Sequence, residues 1–528
     1  MRKDVLLKIY IAFIFSGFTV FPLYYNVTEK TRSLMGIASL FIWFAVADIV
    51  MRVVNPLKKI YSTPGFQKID SAVRSVGDLP FFLICWGLVI VMWTPAFCSM
   101  FPGTFGYDAP VQLLEWQGKI ELGDQHPITH TVLIGLLYDF VTKVLGGTPN
   151  AGIALYIAVQ ALIVSGAIAY CLLTFRRCGV HSVGIMLTFL WFACNPFIQV
   201  LTMNSTKDIL FGAFLSLFLL VFWQILRSGK WSTKSAVCFV VFGILTCLFR
   251  HQGIYFFAAL LLFLLIAPRY VHIAKKQMVS SVAVVIAFFE IFSFVCHSVM
   301  NIKPGDSREM LSVPMQQMAY VCMLKIEGQD INVSGAQLKQ VETFIPEAGI
   351  MDYQKNTADN VKATFSTEAF TEDISENALT YIKLGLQNPD KYLYAFRNLT
   401  EGYIDSDDMG YKSLMFMYSF RVAENEQIQR SPLMFDGYLD ILTNSTLSQG
   451  YQRTPLMSVL FKPSLCVWIL AVMIGLVFYR RDYKLWLVAL PILLLCISLF
   501  LGPVALIRYL YPMILLVPFM VMCIIKPV

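Results

Sequence analysis

The residues best suited to chemistry lie in a polar loop, residues 101–130, directly after the apolar run 80–100. Charged residues make up only 14% of the chain, and polar groups beside a membrane span are costly unless a function uses them. We therefore expect the active site in this loop. Its acidic and imidazole side chains include Asp108, Glu115, Glu121, Asp124 and His126.

Asp108 follows Gly106 and precedes Pro110, so we expect a fixed turn just past the end of the apolar run. A carboxylate held there and half shielded from water could have a raised pKa and act as a general base. The competing interpretation is that Asp108 caps the amphipathic helix predicted from Val111 to Ile120.

Asp124 and His126 stand just before the next predicted helix, which begins near Pro127. Either side chain could cap that helix or bind substrate through hydrogen bonds. Together with His130, one helical turn beyond His126, they could instead ligate a divalent cation. No cofactor is certain from the sequence, and a divalent cation is possible.

Cationic side chains recur at three places further along the chain, as Lys207, Arg250 and Arg508. Arginine grips phosphate or pyrophosphate bidentately, so these positions suit an anionic ligand. The simpler alternatives are that Lys207 neutralises its neighbour Asp208 and that the arginines anchor lipid head groups.

The elements that carry these residues are apolar runs, since 57% of the chain is hydrophobic and its mean hydropathy is +0.64. This composition indicates a multispanning, all-α membrane protein. We predict twelve transmembrane helices, at residues 5–25, 34–54, 80–100, 151–175, 183–203, 208–227, 235–250, 253–268, 278–300, 463–480, 485–502 and 509–525.

Topology follows from basic residues, which cluster in alternate loops at residues 58–74, 176–177, 227–234, 269–276 and 480–484. The positive-inside rule places these loops and both termini in the cytoplasm. The apolar stretch 127–145 is left out of the count because a crossing there would invert every later loop. We expect it to be a helix in or on the outer leaflet, with Pro127 in its first turn.

The segment 301–462 has 21 acidic against 14 basic residues and helical periodicity at 314–326, 334–344, 367–386 and 389–403. We predict a mainly helical extracytoplasmic domain. The predicted divisions are an N-terminal transmembrane hairpin and cytoplasmic loop (1–79), a transmembrane core (80–300) with an external catalytic loop (101–150), the extracytoplasmic domain (301–462) and C-terminal transmembrane helices (463–528).

These features resemble the GT-C class of integral-membrane glycosyltransferases, in particular a group of bacterial GT-C-like proteins. The similarity covers most of residues 80–528. It rests on short elements: Tyr107-Asp108 with Gln112, Gln125-His126-Pro127, Thr206-Lys207-Asp208, Arg250, Ser312-Val313-Pro314-Met315-Gln316-Gln317 and Arg508-Tyr509-Leu510-Tyr511-Pro512. The chain departs from several GT-C families in lacking their Asp-Glu pair, because Ala109 follows Asp108.

The resemblance implies sugar transfer from a polyprenyl-phosphate donor to a glycan, lipid or protein acceptor of the cell envelope, at the outer face of the bacterial cytoplasmic membrane. It implies that Asp108 deprotonates the acceptor, with Asp124 as the reserve candidate, and that Arg250 or Arg508 holds the donor phosphate. The predicted substrate-binding residues are Tyr107, Gln112, His126, Lys207, Asp208, Arg250, His251, Gln316, Arg508 and Tyr509.

Three other functions remain open at this point. A glycan polymerase or ligase would use a lipid-linked oligosaccharide as donor. A multispanning transporter would place charges near the bilayer midplane and show two similar halves. A non-catalytic scaffold of cell-envelope assembly would need no such site. The basic balance of the chain reflects cytoplasmic anchoring, so no nucleic-acid partner is expected.

Overall fold

The computed structural model describes residues 2–20, 29–60, 64–106, 108–266, 275–404, 428–446, 460–462 and 464–525. Throughout these residues the regular secondary structure is helical, and extended pairing is limited to isolated backbone bridges. The predicted all-α membrane protein is therefore confirmed at the level of fold class.

The helices before residue 300 are α1 (Arg2–Val20), α2 (Glu29–Ile60), α3 (Pro64–Ser75), α4 (Asp78–Met100), α5 (Ala109–Trp116), α6 (Ile128–Asp139), α7 (Pro149–Arg177), α8 (Ser182–Cys194), α9 (Pro196–Thr202), α10 (Lys207–Ser228), α11 (Thr233–Phe249), α12 (Gly253–Ile266) and α13 (Lys275–Phe294). Single π-helical turns, Phe140–Val144 and Val295–Val299, extend α6 and α13.

The later helices are α14 (Ser312–Ile326), α15 (Gly335–Glu342), α16 (Glu347–Met351), α17 (Asp359–Thr364), α18 (Thr367–Glu372), α19 (Ile374–Gln387), α20 (Pro389–Thr400), α21 (Asp436–Thr446), α22 (Leu465–Arg480), α23 (Tyr483–Phe500) and α24 (Ile507–Ile525). Short 3₁₀ turns, Ser307–Leu311 and Glu401–Tyr403, precede α14 and follow α20.

Within the part of the chain that the structure describes, helix occupies most of each of the twelve predicted spans, but twelve crossings are not established. Among the described residues, six helices are long and apolar enough to cross a membrane, or seven if α8 and α9, bent by 52° at Asn195, form one span. The six are Lys30–Ile49, Asp78–Met100, Pro149–Arg177, Lys207–Ser228, Lys275–Val299 and Ile507–Ile525. Helices α11 and α12 are shorter, because the polar turn at Arg250–Gln252 ends one and begins the other.

The centre of the membrane part is formed by α10 and α24, whose apolar windows are each 83% buried. They approach closely at Gly212, where an added Cβ would lie 3.1 Å from the Cα of Pro512. Gly212 is five residues after Lys207, and Pro512 is four residues after Arg508. The close approach therefore brings the N-terminal ends of both helices, with their cationic side chains, to one place.

The stretch 127–145 forms α6 and its π-helical turn, and α6 packs against α5 and α7. Pro127 directly precedes the helix instead of lying in its first turn. The stretch is not among the long apolar helices of the described chain. Its location in the outer leaflet stays a prediction.

A second, smaller core forms within residues 312–400, around Met315, Phe344, Ile350 and Leu384. Helices lie at the four predicted places, with the stretch 367–386 divided at Asp373 into α18 and α19. Two short helices, α16 and α17, were not predicted. Below, the outer domain means residues 301–404, the described part of the predicted extracytoplasmic segment that carries this core. The boundaries of the predicted domains stay predictions.

Candidate active site

Asp108 occupies the N-cap position of α5, but its side chain makes no capping hydrogen bond. The carboxylate instead faces three groups from distant parts of the chain. Its Oδ2 lies 3.3 Å from Lys207 Nζ, 3.6 Å from Arg508 Nη1 and 3.7 Å from His126 Nδ1. The capping interpretation is therefore wrong, and the acidic loop meets the N-terminal ends of α10 and α24 at one candidate site.

Backbone pairing joins the loop that carries Asp108 to the loop that carries Lys207. The Thr104 N–H donates to the Met203 carbonyl at 2.8 Å, and the Ser205 N–H donates to the Thr104 carbonyl at 3.0 Å. The Ser205 hydroxyl donates to the same carbonyl at 2.9 Å. Because these residues are buried, the pairing is shielded from water and holds the two loops in a fixed relation.

Lys207 bridges the carboxylate of Asp108 and the imidazole of His126, whose Nδ1 lies 3.0 Å from the lysine Nζ. An ammonium group can only donate, so Nδ1 accepts and the imidazole proton lies on Nε2. Burial, and then the charge of Lys207, lower the pKa of His126 to about 4. His126 is therefore neutral at neutral pH. The alternative in which Lys207 neutralises Asp208 is wrong, because Lys207 contacts Asp108 instead.

The electrostatics of Asp108 also differ from expectation. Burial by itself would raise the pKa of its carboxyl group, but the charges of Lys207 and Arg508, with the hydrogen bond from Lys207, hold that pKa well below its ordinary value. The predicted raised pKa is wrong, because sequence could not show how many cations surround the group. Asp108 is a carboxylate at any physiological pH and is weakly basic while these cations face it.

Asp208 pairs with Arg250 instead, with 2.7 Å between Oδ1 and Nη1. The Asp208 side chain is fully buried, and those of Arg250 and Arg508 are 17% and 8% exposed. The Tyr509 ring contacts both guanidinium groups, with its centroid 5.4 Å from Arg250 Cζ and 4.7 Å from Arg508 Cζ. Both arginines thus pair inside the protein, and the lipid-anchor interpretation is wrong.

Charge counting shows which ligand the site favours. Lys207, Arg250 and Arg508 face Asp108 and Asp208, and with a neutral His126 these five side chains carry one excess positive charge. An excess cation in a largely buried place favours an anion. Arginine and lysine side chains are the usual ligands of phosphate oxygens.

Asp124 lies between two imidazole groups and not at a helix cap. Its Oδ1 is 3.2 Å from His251 Nε2, and its Oδ2 is 2.9 Å from His297 Nε2. His251 was predicted as a site residue, and His297 was missed. The sequence feature that could have indicated His297 is its position near the C-terminal end of the apolar run 278–300.

Four buried side chains form a polar network behind the site. His130 Nδ1 lies 2.8 Å from Gln112 Oε1, and its Nε2 lies 2.7 Å from the Tyr156 hydroxyl. The Tyr156 hydroxyl donates to Gln160, whose amide donates to the carbonyls of Thr202 and Asn204. Gln112, predicted to bind substrate, thus supports the backbone that leads to Lys207.

The possible cation site of Asp124, His126 and His130 does not form, because the three side chains have separate partners. Within the described ranges no group of three His, Cys, Asp or Glu side chains is arranged to hold a metal ion.

Some predicted residues are not brought to Asp108 by any described contact, among them Asp124 and His251, which pair with each other. Gln316 is buried on α14 of the outer domain, where its amide donates to the Gln354 carbonyl. Tyr107 lies outside the described residues. Predicted residues that do converge are His126, Lys207 and Arg508 around Asp108, with Asp208, Arg250 and Tyr509 adjoining them.

A family model described as a family of unknown function, DUF6020, matches residues 117–527. The matched region contains the cationic half of the site, and Asp108 lies just before it. No curated protein and no solved structure matches the chain.

Proposed function

The chain belongs to the DUF6020 family of unknown function, and we propose that it is a membrane glycosyltransferase. It transfers a sugar from a polyprenyl-phosphate donor to an acceptor of the cell envelope. Asp108 is the general base, and Lys207 and Arg508 bind the donor phosphate. The positive-inside pattern supports a site on the extracytoplasmic face with both termini in the cytoplasm.

One observation carries the proposal: the Asp108 carboxylate lies 3.3 Å from Lys207 and 3.6 Å from Arg508. The base and the cations thus lie in one site. An inverting displacement places the acceptor and the leaving phosphate on opposite faces of the sugar, so donor binding must part Asp108 from these cations. The excess positive charge of the site matches the single charge of a phosphate diester.

The reaction we propose is a direct displacement. An acceptor hydroxyl oxygen forms a bond to the anomeric carbon as the bond from that carbon to the donor phosphate oxygen breaks. The acceptor proton passes to Asp108, and the sugar configuration inverts. Lys207 and Arg508 stabilise the negative charge that develops on the departing phosphate.

Donor binding would also change the base. The cations that lower the pKa of Asp108 are those assigned to the phosphate. When the phosphate shares their charge, the carboxylate is less stabilised and its basicity rises. The site would then become competent to deprotonate the acceptor only with the donor in place.

The substitution Asp108→Asn tests the proposal, because it keeps the shape of the side chain and removes its basicity. We expect transfer from a polyprenyl-phosphate sugar to fall at least about 100-fold. The matched control is Asp390→Asn, since Asp390 is exposed and pairs with Lys391 in the outer domain. A D108N protein with near wild-type transfer would show that the base role is wrong.

Donor choice separates the proposal from the related polymerase or ligase. The expected result is transfer from a monosaccharide donor without need of an oligosaccharide. Transfer from a lipid-linked oligosaccharide alone would instead indicate a polymerase or ligase. Movement of substrate across vesicles without transfer would indicate a transporter.

A further inference from the structure

The loop that precedes Arg508 is held by a tyrosine of the outer domain. Tyr403 ends the 3₁₀ turn after α20, and only 1% of its surface is exposed. Its hydroxyl donates to the Val504 carbonyl at 3.0 Å and accepts from the Leu506 N–H at 3.3 Å. One hydroxyl thus satisfies two backbone groups of the loop.

A second contact from the outer domain reaches the same loop. The Ala358 N–H donates to the Pro503 carbonyl at 2.8 Å, and Thr357 pairs with Val504 in an isolated antiparallel bridge. Residues 357–358 lie just before α17. The loop is therefore held on two sides by residues distant in sequence.

The held loop leads directly into the first turn of α24. Leu506 is the residue before that helix, and its carbonyl accepts from the Tyr509 N–H at 3.1 Å. Arg508 is the second residue of the helix. Its guanidinium reaches Asp108 and the Tyr509 hydroxyl, so a shift of the first turn would move it relative to both.

We infer that Tyr403 is a positioning residue, whose hydroxyl holds the loop 503–506 so that Arg508 faces Asp108. The outer domain thereby sets the geometry of the anion site without touching the ligand. The inference rests on the proposed function only where it names a phosphate as that ligand.

Tyr403→Phe tests this inference, because it removes the hydroxyl and leaves the ring in place. Tyr392→Phe is the matched control, since the buried Tyr392 hydroxyl donates to the Tyr381 carbonyl at 3.0 Å inside the outer domain. In Y403F, amide exchange over residues 503–509 of the full chain should accelerate at least about threefold. In Y392F it should stay at the wild-type rate. Equal exchange in wild type and Y403F would overturn the inference.

Binding of a fluorescent polyprenyl monophosphate gives the second readout. Y403F lacks one hydroxyl that orders the loop, so its binding of the monophosphate should be about fivefold weaker than that of wild type. Binding by Y392F should be unchanged. Wild-type affinity in Y403F, despite lost affinity in R508A, would also overturn the inference. Faster exchange in Y403F together with unaltered affinity in R508A would contradict the proposed function and leave the positioning role supported.

Discussion

The Lys207 ammonium lies 3.3 Å from the Asp108 carboxylate and also contacts His126. This pairing joins the first residue of a long central helix to the acidic loop that follows α4. It keeps Asp108 ionised and at the same time keeps His126 neutral. Lys207 thus lowers the pKa of both neighbours, although burial is the larger cause for His126.

Substitution of Lys207 by Met should change the pH profile of transfer. Lys207 lowers the pKa of Asp108, so its loss raises that pKa and moves the acidic limb of kcat/KM to higher pH. We also expect kcat to fall about 100-fold, because a cation on the leaving phosphate is lost. The control is Lys143→Met, whose side chain is 69% exposed. An acidic limb that stays in place would show that Asp108 is not the titrating base.

The buried pair of Asp208 and Arg250 should matter for stability. In Asp208→Asn the guanidinium keeps its charge without a carboxylate, which should cost about 3 kcal/mol of unfolding free energy. The exposed pair of Asp390 and Lys391 provides the comparison, and Asp390→Asn should cost less than about 1 kcal/mol. Denaturation of both variants in the same detergent measures the difference. Equal losses of unfolding free energy in the two variants would show that the buried pair contributes no more to stability than the exposed pair.

Gly103 should tolerate no side chain, because its φ is +106° and an added Cβ would lie 2.6 Å from Ile157 Cγ1. Gly118 also has a positive φ, +68°, but nothing lies within 4 Å of its added Cβ. We expect G103A to lose about 3 kcal/mol of stability and G118A about 1 kcal/mol. Gly103 adjoins the backbone pairing at Thr104, so G103A should also weaken binding of polyprenyl monophosphate. Normal binding in a folded G103A protein would contradict this.

Acid should destabilise the protein through His126. Its pKa is about 4 in the folded protein against an ordinary 6.5, so the unfolded chain binds the proton first as pH falls. Stability from this residue is present above pH 6.5, declines between pH 6.5 and 4, and stays lost below that range. His126→Gln removes the contribution. As pH falls from 6.5 to 4, the Tm of wild type should therefore fall by more than the Tm of H126Q. A Tm difference between the two proteins that does not change with pH would contradict the assignment.

The apolar runs were sufficient to predict where the membrane helices lie, because hydropathy is a local property of the sequence. They were not sufficient to count crossings. Arg250–Gln252 leaves α11 and α12 short, and Asn195 divides α8 from α9. Length and bending depend on packing against neighbours, which no local window contains.

The sequence indicated which charged residues would come near one another better than it indicated how they pair, and their role as a site stays a proposal. Lys207 and Asp208 are adjacent in sequence, yet Lys207 pairs with Asp108 and Asp208 pairs with Arg250. The pairing depends on how α10 and α24 approach each other at Gly212. Likewise the pKa of Asp108 could not be predicted, because its cations come from residues about 100 and 400 positions away.

The backbone pairing between Thr104 and residues 203–205 has a consequence for how a ligand enters. It ties the loop of Asp108 to the loop of Lys207, whereas Arg508 follows a separate loop that Tyr403 holds. In the proposed reaction, the donor phosphate should therefore part Asp108 from Arg508 more easily than from Lys207. A covalent tether between the loops 101–106 and 503–506 should hinder donor binding without changing any of these three side chains.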